Sequence, residues 1–339
     1  MNIAINGFGR IGRLLCRQLW GRPDVHIVAI NDLGDVANLA YLLKHDSVYR
    51  AWDHDVVGYP DKAMLVIDNK EIQFFNEKDP AQLPWKKLGI DVVVESTGVF
   101  ESFEKAKIHL DAGAKRVLIT APAKDADTAI GKTVLMGLNE QQLAECQISS
   151  NASCTTNGAS PLIAVLSETI GVEKAILSTV HAYTATQSIV DGPVKGEDYR
   201  RGRAAAQNII PSTTGAATAV TRAFPQLEGL FDGIAIRVPV VSGSLIDITF
   251  VAKKETTSAE INSILTAASK EPRWKGLLEV STQHLVSSDI IGINCASLVD
   301  LTFTKVVGGN LVKVLAWYDN EWGYATTLVK HLEAITHAL

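Results

Sequence analysis

Cysteine is scarce in this sequence, and the four residues present, Cys16, Cys146, Cys154 and Cys295, are scattered over 339 positions. They are too few for a disulfide framework or a zinc motif. No apolar run approaches the roughly 20 residues that a membrane-spanning helix needs, and the N-terminus lacks the pattern of a secretory signal. The net charge of -5 argues against a dedicated nucleic-acid-binding protein. We expect a cytoplasmic protein with no bound metal, no membrane association and no dedicated nucleic-acid partner.

Flexible linkers, internal repeats and low-complexity tracts are also missing, and the length corresponds to about two domains. In the first third, short apolar strands alternate with helical patterns. The strands are predicted at 2–6, 26–30, 91–95 and 117–120, and the helices at 10–20 and 102–112, the second ending at Gly113. This alternation predicts an α/β fold with a Rossmann-type, doubly wound parallel sheet.

The second half follows a different pattern, which favours an α+β domain with a mixed, largely antiparallel sheet. Strands are predicted at 245–253, 300–306 and 311–317, and Gly308-Gly309 between the last two is a strong hairpin signal. Thr257 and Glu260 resemble a capping box that opens a helix. A further amphipathic helix closes the chain. The change between the two patterns falls near residue 150.

Three glycines follow the first strand directly and open the first helix. Gly7 permits a tight turn, Gly9 lets a pyrophosphate approach the backbone, and Gly12 lets helix and strand pack closely. The helix N-terminus favours a bound anion. Asp32 stands at the end of the second strand, where its carboxylate can accept hydrogen bonds from ribose hydroxyls and repel a 2'-phosphate. The pattern predicts a dinucleotide site that prefers NAD to NADP; the alternative is a glycine-rich turn with a surface aspartate.

Cys154 lies in a polar, small-residue stretch before an apolar helix that is predicted to start at Pro161. The helix N-terminus would stabilise a thiolate there. His181 follows an apolar strand over 175–180 and could exchange a proton with that thiolate. The alternatives are a cysteine that packs as a small core residue and a structural histidine. The remaining cysteines lie in helical or strand patterns and are interpreted as packing residues.

A long segment from Thr184 to Ala204 is poor in large apolar residues and carries Arg200, Arg201 and Arg203. Thr214 and Gly215 follow, and Arg237 ends another strand pattern. Arginine and threonine side chains that converge on one cleft would bind phosphate. The alternative is a solvated run of charges.

Together these segments resemble the NAD-dependent, phosphorylating glyceraldehyde-3-phosphate dehydrogenase family over essentially the whole chain. The matching blocks are NGFGRIGR (6–13), EKDPAQLPW (77–85), ESTGVF (95–100), ITAPAK (119–124), SNASCTTN (150–157), HAYT (181–184), RRGRAAAQNIIPSTTGAA (200–217), RVPV (237–240) and WYDNEWGYA (317–325).

The resemblance implies an NAD site that extends beyond the glycines and Asp32. Cofactor contacts fall at Arg10, Ile11, Lys78, Thr97, Thr120 and Asn320. The implied domains are an NAD-binding domain over 1–152, completed by a C-terminal helix at 319–339, and a catalytic domain over 153–318.

The resemblance also implies a catalytic cysteine at Cys154 and its partner at His181. Inorganic phosphate would be held by Ser153, Arg201 and Thr214, and the substrate's own phosphate by Thr184 and Arg237, with Thr155 and Gly215 completing the site. The implied reaction oxidises and phosphorylates D-glyceraldehyde 3-phosphate to 1,3-bisphosphoglycerate, through a thiohemiacetal and a thioester on Cys154, in glycolysis or gluconeogenesis. A homotetramer is implied as well.

Three other activities compete with this one. Erythrose-4-phosphate dehydrogenase shares the fold and the Cys-His pair, but such relatives depart from the pattern at the positions of Thr184 and Thr214-Gly215. A semialdehyde dehydrogenase would lack the ASCTTN and WYDNEWGYA blocks. A non-enzymatic protein that binds RNA in the cofactor groove conflicts with the acidic net charge and the intact Cys-His pair. The chain itself departs from the family at Gly158, where a second cysteine is usual, and at Gly192, where NAD-preferring members often have leucine.

Overall fold

A computed structural model describes residues 1–194 and 196–338. Lys195, in the predicted basic loop, and Leu339, at the end of the predicted C-terminal helix, lie outside the described residues. The chain forms two compact units. The first comprises Met1–Val134, Asn139–Ala152 and Leu328–Leu339, and the second comprises Leu135–Leu138 and Ser153–Thr327. None of the described helices is long and apolar enough to cross a membrane.

The first unit is built on a nine-stranded sheet whose order is β3-β4-β5-β2-β1-β6-β7-β9-β8. The strands are β1 (Asn2–Asn6), β2 (His26–Asn31), β3 (Val56–Tyr59), β4 (Met64–Ile67), β5 (Lys70–Phe75), β6 (Val92–Glu95), β7 (Arg116–Ile119), β8 (Gly131–Thr133) and β9 (Ile148–Ser150). From β5 to β8 every neighbouring pair is parallel, whereas β3 and β4 pair antiparallel at one edge. The predicted parallel sheet is confirmed.

The chain winds outward from β1 in both directions, first to β2 and later to β6. The carboxyl ends of β1, β2 and β6 therefore surround the point where the winding reverses. Ligands of open α/β sheets bind in the crevice at such a point. β6 is buried along its whole length, as expected of a central parallel strand.

The helices of the first unit are α1 (Arg10–Leu19), α2 (Val36–Lys44), α3 (Trp85–Leu88), α4 (Phe103–Ala106) and α5 (Ile108–Asp111). The prediction of a single helix over 102–112 is wrong in one respect, because this segment forms two short helices separated by Lys107. The Leu110 N–H donates to the Lys107 carbonyl at 2.9 Å, which tightens the chain into a turn between them. Its predicted start is right, since Ser102 caps α4 by accepting from the Lys105 N–H at 3.2 Å.

The second unit contains a seven-stranded sheet of order β11-β12-β10-β13-β16-β15-β14. Its strands are β10 (Val172–Ala182), β11 (Ile210–Thr213), β12 (Phe231–Val238), β13 (Ser244–Ala252), β14 (Leu278–Ser281), β15 (Ser297–Val307) and β16 (Leu311–Tyr318). The β10–β12 and β14–β15 pairs are parallel and the others are antiparallel, so the predicted mixed sheet is confirmed. Gly308 and Gly309 form the predicted hairpin, and both have positive φ angles.

The remaining helices are α6 (Cys154–Thr169), α7 (Ala216–Ala223), α8 (Ser258–Ala268) and α9 (Trp322–Ala338). Thr257 caps α8 by accepting from the Glu260 N–H at 3.2 Å. The predicted capping box is only half formed, because the Glu260 carboxylate accepts from the Thr256 hydroxyl at 2.9 Å instead.

The sequence pattern predicts that helix α6 starts at Pro161, and this prediction is wrong. The helix begins at Cys154. Pro161 lies inside the helix, where it has no N–H to donate to the Asn157 carbonyl. The Ser160 hydroxyl reaches that carbonyl at 3.5 Å. Every residue from 155 to 166 is buried, and this packing outweighs the cost of an internal proline.

Candidate functional site

The turn after β1 is shaped for close approach of a ligand to the backbone. Gly7 has a φ of +95°, and a Cβ there would lie 2.6 Å from the Ser96 carbonyl carbon. Gly12 packs beneath the turn, since its Cβ would lie 2.2 Å from the Gly7 oxygen. At Gly9, by contrast, nothing lies within 4 Å of an added Cβ. Gly7 and Gly12 allow the tight packing, and Gly9 leaves the ligand side open.

Helix α1 starts immediately after this turn, with Gly9 at its cap position. The Arg10 guanidinium forms an ion pair with Asp46, and Ile11 is partly buried in the first turn. Neither side chain lines the cleft described below. Their predicted contact with a pyrophosphate would therefore be made by the backbone at the helix N-terminus, where the helix dipole favours an anion.

Asp32 follows β2 and is held in place by two backbone donors. The Phe8 N–H donates to Oδ2 at 2.6 Å, and the Gly34 N–H donates to Oδ1 at 2.8 Å. The carboxylate thus bridges the glycine turn and its own loop. Its fixed negative charge suits ribose hydroxyls and opposes a 2'-phosphate.

These elements surround a cleft of about 480 Å³ in the first unit. Its walls come from the loops that follow β1, β2, β5 and β6, and the lining residues are Asn6, Gly7, Gly9, Asn31, Asp32, Leu33, Glu77, Lys78, Pro80, Ser96, Thr97, Val99 and Phe100. Gly7, Gly9, Asp32, Lys78 and Thr97 were all predicted from the sequence. Thr120 is not among the lining residues; its N–H donates to the Glu95 carbonyl at 3.0 Å.

The second unit brings together the two residues of the predicted catalytic pair. Cys154 is the first residue of α6, and His181 lies one residue before the end of β10. The Cys154 Sγ lies 3.4 Å from the His181 Nε2. Cys154 is partly exposed and His181 is buried. The Cys154 sulfur therefore contacts a base that is shielded from water.

The electrostatics of the pair are governed by burial and by Arg237. Burial raises the pKa of the Cys154 thiol, while the Arg237 charge and hydrogen bonds from Thr155 oppose the rise. Burial and the Arg237 charge lower the pKa of His181 to about 3. His181 is therefore a neutral imidazole near pH 7, with one ring nitrogen free of a proton.

Ser153 caps α6 and thereby sets the direction of the helix that carries Cys154. Its hydroxyl accepts from the Thr156 N–H at 3.1 Å and lies 2.8 Å from the Thr156 hydroxyl. The Thr155 hydroxyl lies 2.8 Å from the Tyr318 hydroxyl in the core. The Thr155 hydroxyl therefore has a partner in the core. Hydrogen bonds from the Thr155 side chain and backbone to the Cys154 sulfur also favour the thiolate.

Two arginines of the predicted phosphate sites lie in the same electrostatic environment. The Arg201 Nη2 donates to the Ser212 hydroxyl at 3.1 Å, and Ser212 pairs with Ala235 in the β11–β12 ladder. Burial lowers the pKa of Arg237, and the Arg201 charge adds to the effect. The two guanidinium groups are therefore close enough to repel each other, and a bound anion would relieve this repulsion.

The predicted threonines lie at loop positions of the second unit. The Thr214 hydroxyl accepts from the Ala216 N–H at 3.2 Å, beside Gly215 at the cap of α7. The Thr184 hydroxyl lies 3.0 Å from that of Thr186.

Comparison with known proteins follows the same division of the chain. Residues 1–103 match a family model described as the glyceraldehyde 3-phosphate dehydrogenase NAD binding domain, and residues 153–320 match the C-terminal domain of that family. A protein of Thermotoga maritima named glyceraldehyde-3-phosphate dehydrogenase is 51% identical over 336 residues, which cover 98% of each chain. Proteins of the same name from Streptomyces coelicolor and Eremothecium gossypii are both 46% identical to this chain. The first alignment covers 97% of this chain and 96% of the relative, and the second covers 99% of each.

The chain belongs to the glyceraldehyde-3-phosphate dehydrogenase family. It is an NAD-dependent oxidoreductase, and NAD is its cofactor. The cleft fits such a cofactor, because Gly9 leaves the backbone open to a pyrophosphate while the Asp32 carboxylate stands at the adjacent strand end. In the described residues, no group of three or more His, Cys, Asp or Glu side chains could hold a metal ion.

Asn320, the residue that the family resemblance places at the nicotinamide carboxamide, is buried in the second unit. Its Oδ1 accepts from the Ser244 hydroxyl at 2.8 Å. The Ser244 hydroxyl also accepts from the Ala182 N–H at 3.1 Å, in the residue that follows His181. Asn320 is therefore held, through Ser244, by the strand end that carries His181.

The other cysteines are buried, which agrees with a packing role. Burial raises the pKa of Cys16 to about 12, of Cys146 to about 11 and of Cys295 to about 12, so these thiols resist ionisation. Cys16 lies in a helix as predicted. Cys146 and Cys295 lie in connecting segments and not in a helix or strand, which corrects that part of the prediction.

Tyr318 has no assigned role in the sequence analysis, although it lies in the WYDNEWGYA block. Its hydroxyl lies 2.8 Å from the hydroxyls of Thr155 and Thr179, and its ring centroid is 5.9 Å from that of His181. Burial raises the pKa of Tyr318, which keeps it neutral. Tyr318 joins the start of α6 to β10, and the only sequence signal for it was its place in the WYDNEWGYA block.

Proposed function

We propose that this protein oxidises and phosphorylates D-glyceraldehyde 3-phosphate to 1,3-bisphosphoglycerate with reduction of NAD, using Cys154 as the nucleophile and His181 as the acid-base group. The observation that carries the proposal is the 3.4 Å contact between the Cys154 Sγ and the His181 Nε2 at the start of α6. A nucleophile within hydrogen-bond reach of an oriented base is the arrangement that covalent catalysis requires.

The first half of the reaction takes place on the Cys154 sulfur. The sulfur attacks the aldehyde carbon and forms a thiohemiacetal as the thiol proton passes to the new hydroxyl. His181 Nε2 then removes the hydroxyl proton while a hydride leaves the same carbon, so that a thioester remains on Cys154. The cofactor's chemical contribution is a nicotinamide ring that accepts this hydride. The Cys154 backbone N–H and the His181 ring would stabilise the oxyanion.

The second half of the reaction uses inorganic phosphate. A phosphate oxygen attacks the thioester carbon, the carbon–sulfur bond breaks, and the Cys154 thiolate leaves as the acyl phosphate forms. The proton held on His181 Nε2 returns to the sulfur. In this proposal Arg201, Thr214 and Ser153 hold the attacking phosphate, with Thr155 and Gly215 beside them. Thr184 and Arg237 hold the substrate's own phosphate.

For the cofactor, we assign the pyrophosphate to the backbone around Gly7, Gly9, Gly12 and the first turn at Arg10 and Ile11. Asp32 takes the adenosine ribose, and the remaining contacts come from Lys78, Thr97, Thr120 and Asn320. The cleft lining and the two bonds that fix the Asp32 carboxylate support this assignment.

The domain assignment is a proposal of the same kind. Residues 1–152 with the C-terminal helix at 319–339 would bind NAD, and residues 153–318 would carry the chemistry. The matched segments 1–103 and 153–320 support most of this division, as do the two compact units, although residues 135–138 and 319–327 belong to the second unit. We also propose a cytoplasmic homotetramer; light scattering of the purified protein tests the oligomer, and a monomer would contradict it.

Erythrose-4-phosphate dehydrogenase is not favoured as an alternative. The curated relatives in the comparison are named glyceraldehyde-3-phosphate dehydrogenase at 45–51% identity, and the chain keeps Thr184 and Thr214-Gly215.

The test follows NADH absorbance with glyceraldehyde 3-phosphate and NAD, with and without inorganic phosphate. Erythrose 4-phosphate and NADP serve as the comparison substrates. We expect fast NADH formation with the triose that requires phosphate. A preference for erythrose 4-phosphate would overturn the substrate assignment, and turnover that ignores phosphate would overturn the acyl acceptor.

A further inference from the structure

A chain of buried polar side chains connects the interior of the first unit to its cleft. Asn6 ends β1 and Glu95 ends β6, and the two residues are paired in the parallel ladder. The side chains of His109 in α5 and Trp85 in α3 continue this series of contacts inward. All four side chains are at most 2% exposed, and the catalytic chemistry uses none of them.

Glu95 is the centre of this chain because its carboxylate accepts from two directions. On the inner side, Oε2 accepts from the Asn6 Nδ2 at 2.5 Å and from the His109 Nε2 at 3.0 Å. On the cleft side, Oε1 accepts from the Thr97 N–H at 2.8 Å and from the Thr97 hydroxyl. Both oxygens are thus satisfied by donors, as a buried carboxylate requires.

Trp85 decides which ring nitrogen of His109 carries the proton. The Trp85 Nε1–H donates to the His109 Nδ1 at 3.2 Å. Indole nitrogen is a donor only, so the His109 Nδ1 must accept and the ring proton resides on Nε2. His109 therefore presents a donor to Glu95, and the order of donation runs from Trp85 through His109 to Glu95.

The cleft end of this chain bears on ligand binding directly. Asn6 and Thr97 both line the cleft, and the Asn6 Oδ1 accepts from the Asn31 Nδ2 at 2.7 Å at the next strand end. The turn that holds Thr97 packs closely against Gly7. A Cβ added to Gly7 would lie 2.6 Å from the Thr97 backbone nitrogen. Glu95 thus holds the β6 turn against the glycine turn.

We propose that Glu95, His109 and Trp85 are positioning residues for NAD, acting through Asn6 and Thr97 on the shape of the cleft. This inference rests on the proposed function, since it takes the cleft as the NAD site. Supporting side chains of this kind hold the ligand-contacting groups in one geometry, and small misplacements weaken binding strongly.

The test compares two substitutions at one position by calorimetric titration with NAD and with ADP-ribose. His109→Leu removes both the acceptor and the donor, whereas His109→Gln retains one of each. We expect the dissociation constant of both ligands to rise about tenfold or more in His109→Leu and to stay within about threefold of wild type in His109→Gln. In steady-state assays, kcat at saturating NAD and the KM for the aldehyde should change little.

Glu333→Gln is the matched control, because it removes a carboxylate from a surface ion pair with Arg22 in the same unit. It should leave NAD affinity unchanged. Thermal unfolding of every variant separates lost affinity from lost stability. Equal affinity in His109→Leu and wild type would overturn the inference, as would an equal loss in His109→Leu and His109→Gln.

If His109→Leu does not fold, Trp85→Phe provides the second test. It removes the indole N–H that fixes the His109 tautomer, together with part of the buried ring, and we expect weaker NAD binding by about two- to fivefold. Unchanged affinity there would overturn the inference. A wild-type protein that binds no NAD would instead refute the proposed function, so the two failures are distinguishable.

Discussion

Arg237 Nη1 lies 2.5 Å from His181 Nδ1, and the two residues face each other in register on the parallel strands β12 and β10. The same ring nitrogen lies 2.6 Å from the Ala182 carbonyl. With a proton on Nδ1 the ring donates to that carbonyl and leaves Nε2 to accept from Cys154. With the proton on Nε2, Nδ1 accepts from Arg237 and Nε2 becomes a donor. The first tautomer is the one that a base needs, because Nε2 can then take a proton while Nδ1 continues to donate to the Ala182 carbonyl.

Replacing Arg237 by leucine should raise the pKa of the Cys154 thiol, because the cation that favours the thiolate is lost. At a fixed pH of about 7.5, alkylation of Cys154 by iodoacetamide should slow by about three- to tenfold, since one pKa unit is a factor of ten. The measurement is the pH profile of alkylation. Arg203→Leu, which breaks an exposed pair with Asp191, is the control. A profile that moves to lower pH would contradict the prediction.

Replacing His181 by asparagine should slow turnover by roughly 10²–10⁴, the usual contribution of acid-base catalysis. NAD affinity should be preserved, since His181 lies in the second unit and the cleft lining lies in the first. Stopped-flow NADH formation and NAD titration measure the two effects. Cys154→Ser provides the reference with no covalent chemistry. Near-normal turnover in either variant would exclude the proposed acid-base and nucleophile roles.

The parts of this protein that the sequence predicted best are those with short-range patterns. The glycine turn, Asp32 and the parallel strands each follow from residues close together in the chain, and each lies where predicted. The Cys154–His181 contact was expected from the family resemblance, but spacing alone could not place residues 27 positions apart at 3.4 Å.

The features that the sequence did not predict depend on tertiary packing. Pro161 suggests a helix start, yet the buried surface of α6 extends the helix back to Cys154. His109 has no distinctive neighbours in the chain, so its bond to Glu95 becomes visible only when α5 packs on the sheet. Such contacts join distant segments, and local propensity carries no information about them.

Substitutions at Gly158 and Ile246 should have non-additive effects on the free energy of unfolding, because a Cβ at position 158 would lie 2.8 Å from the Ile246 Cδ1. Alanine in a helix is favoured over glycine by about 1 kcal/mol, whereas overpacking costs about 1–3 kcal/mol. Gly158→Ala should therefore be more favourable by about 1 kcal/mol in an Ile246→Val background than alone. Urea unfolding of the four proteins in the cycle measures this coupling. Additive effects would show that the Ile246 side chain moves aside without cost.

Acid should weaken the first unit through His331, a buried residue of α9. Its Nε2 lies 2.8 Å from the Ser149 hydroxyl and its Nδ1 lies 3.1 Å from the Asn151 Oδ1. Burial lowers the pKa of His331 from 6.5 to about 3. Between these values the unfolded chain binds a proton that the folded protein does not, so stability falls as the pH drops below about 6.5.

One histidine with this lowered pKa reduces the free energy of unfolding by about 2 kcal/mol between pH 7 and pH 5. His331→Gln should remove that part of the loss. Glutamine keeps a donor and an acceptor but does not titrate in this range. Urea unfolding at pH 7 and pH 5 measures the difference, with His26→Gln at an exposed position as the control. If His331→Gln and His26→Gln lose as much stability as wild type, the acid sensitivity arises at another group. The buried His181, whose pKa is also lowered to about 3, is the next candidate for that group.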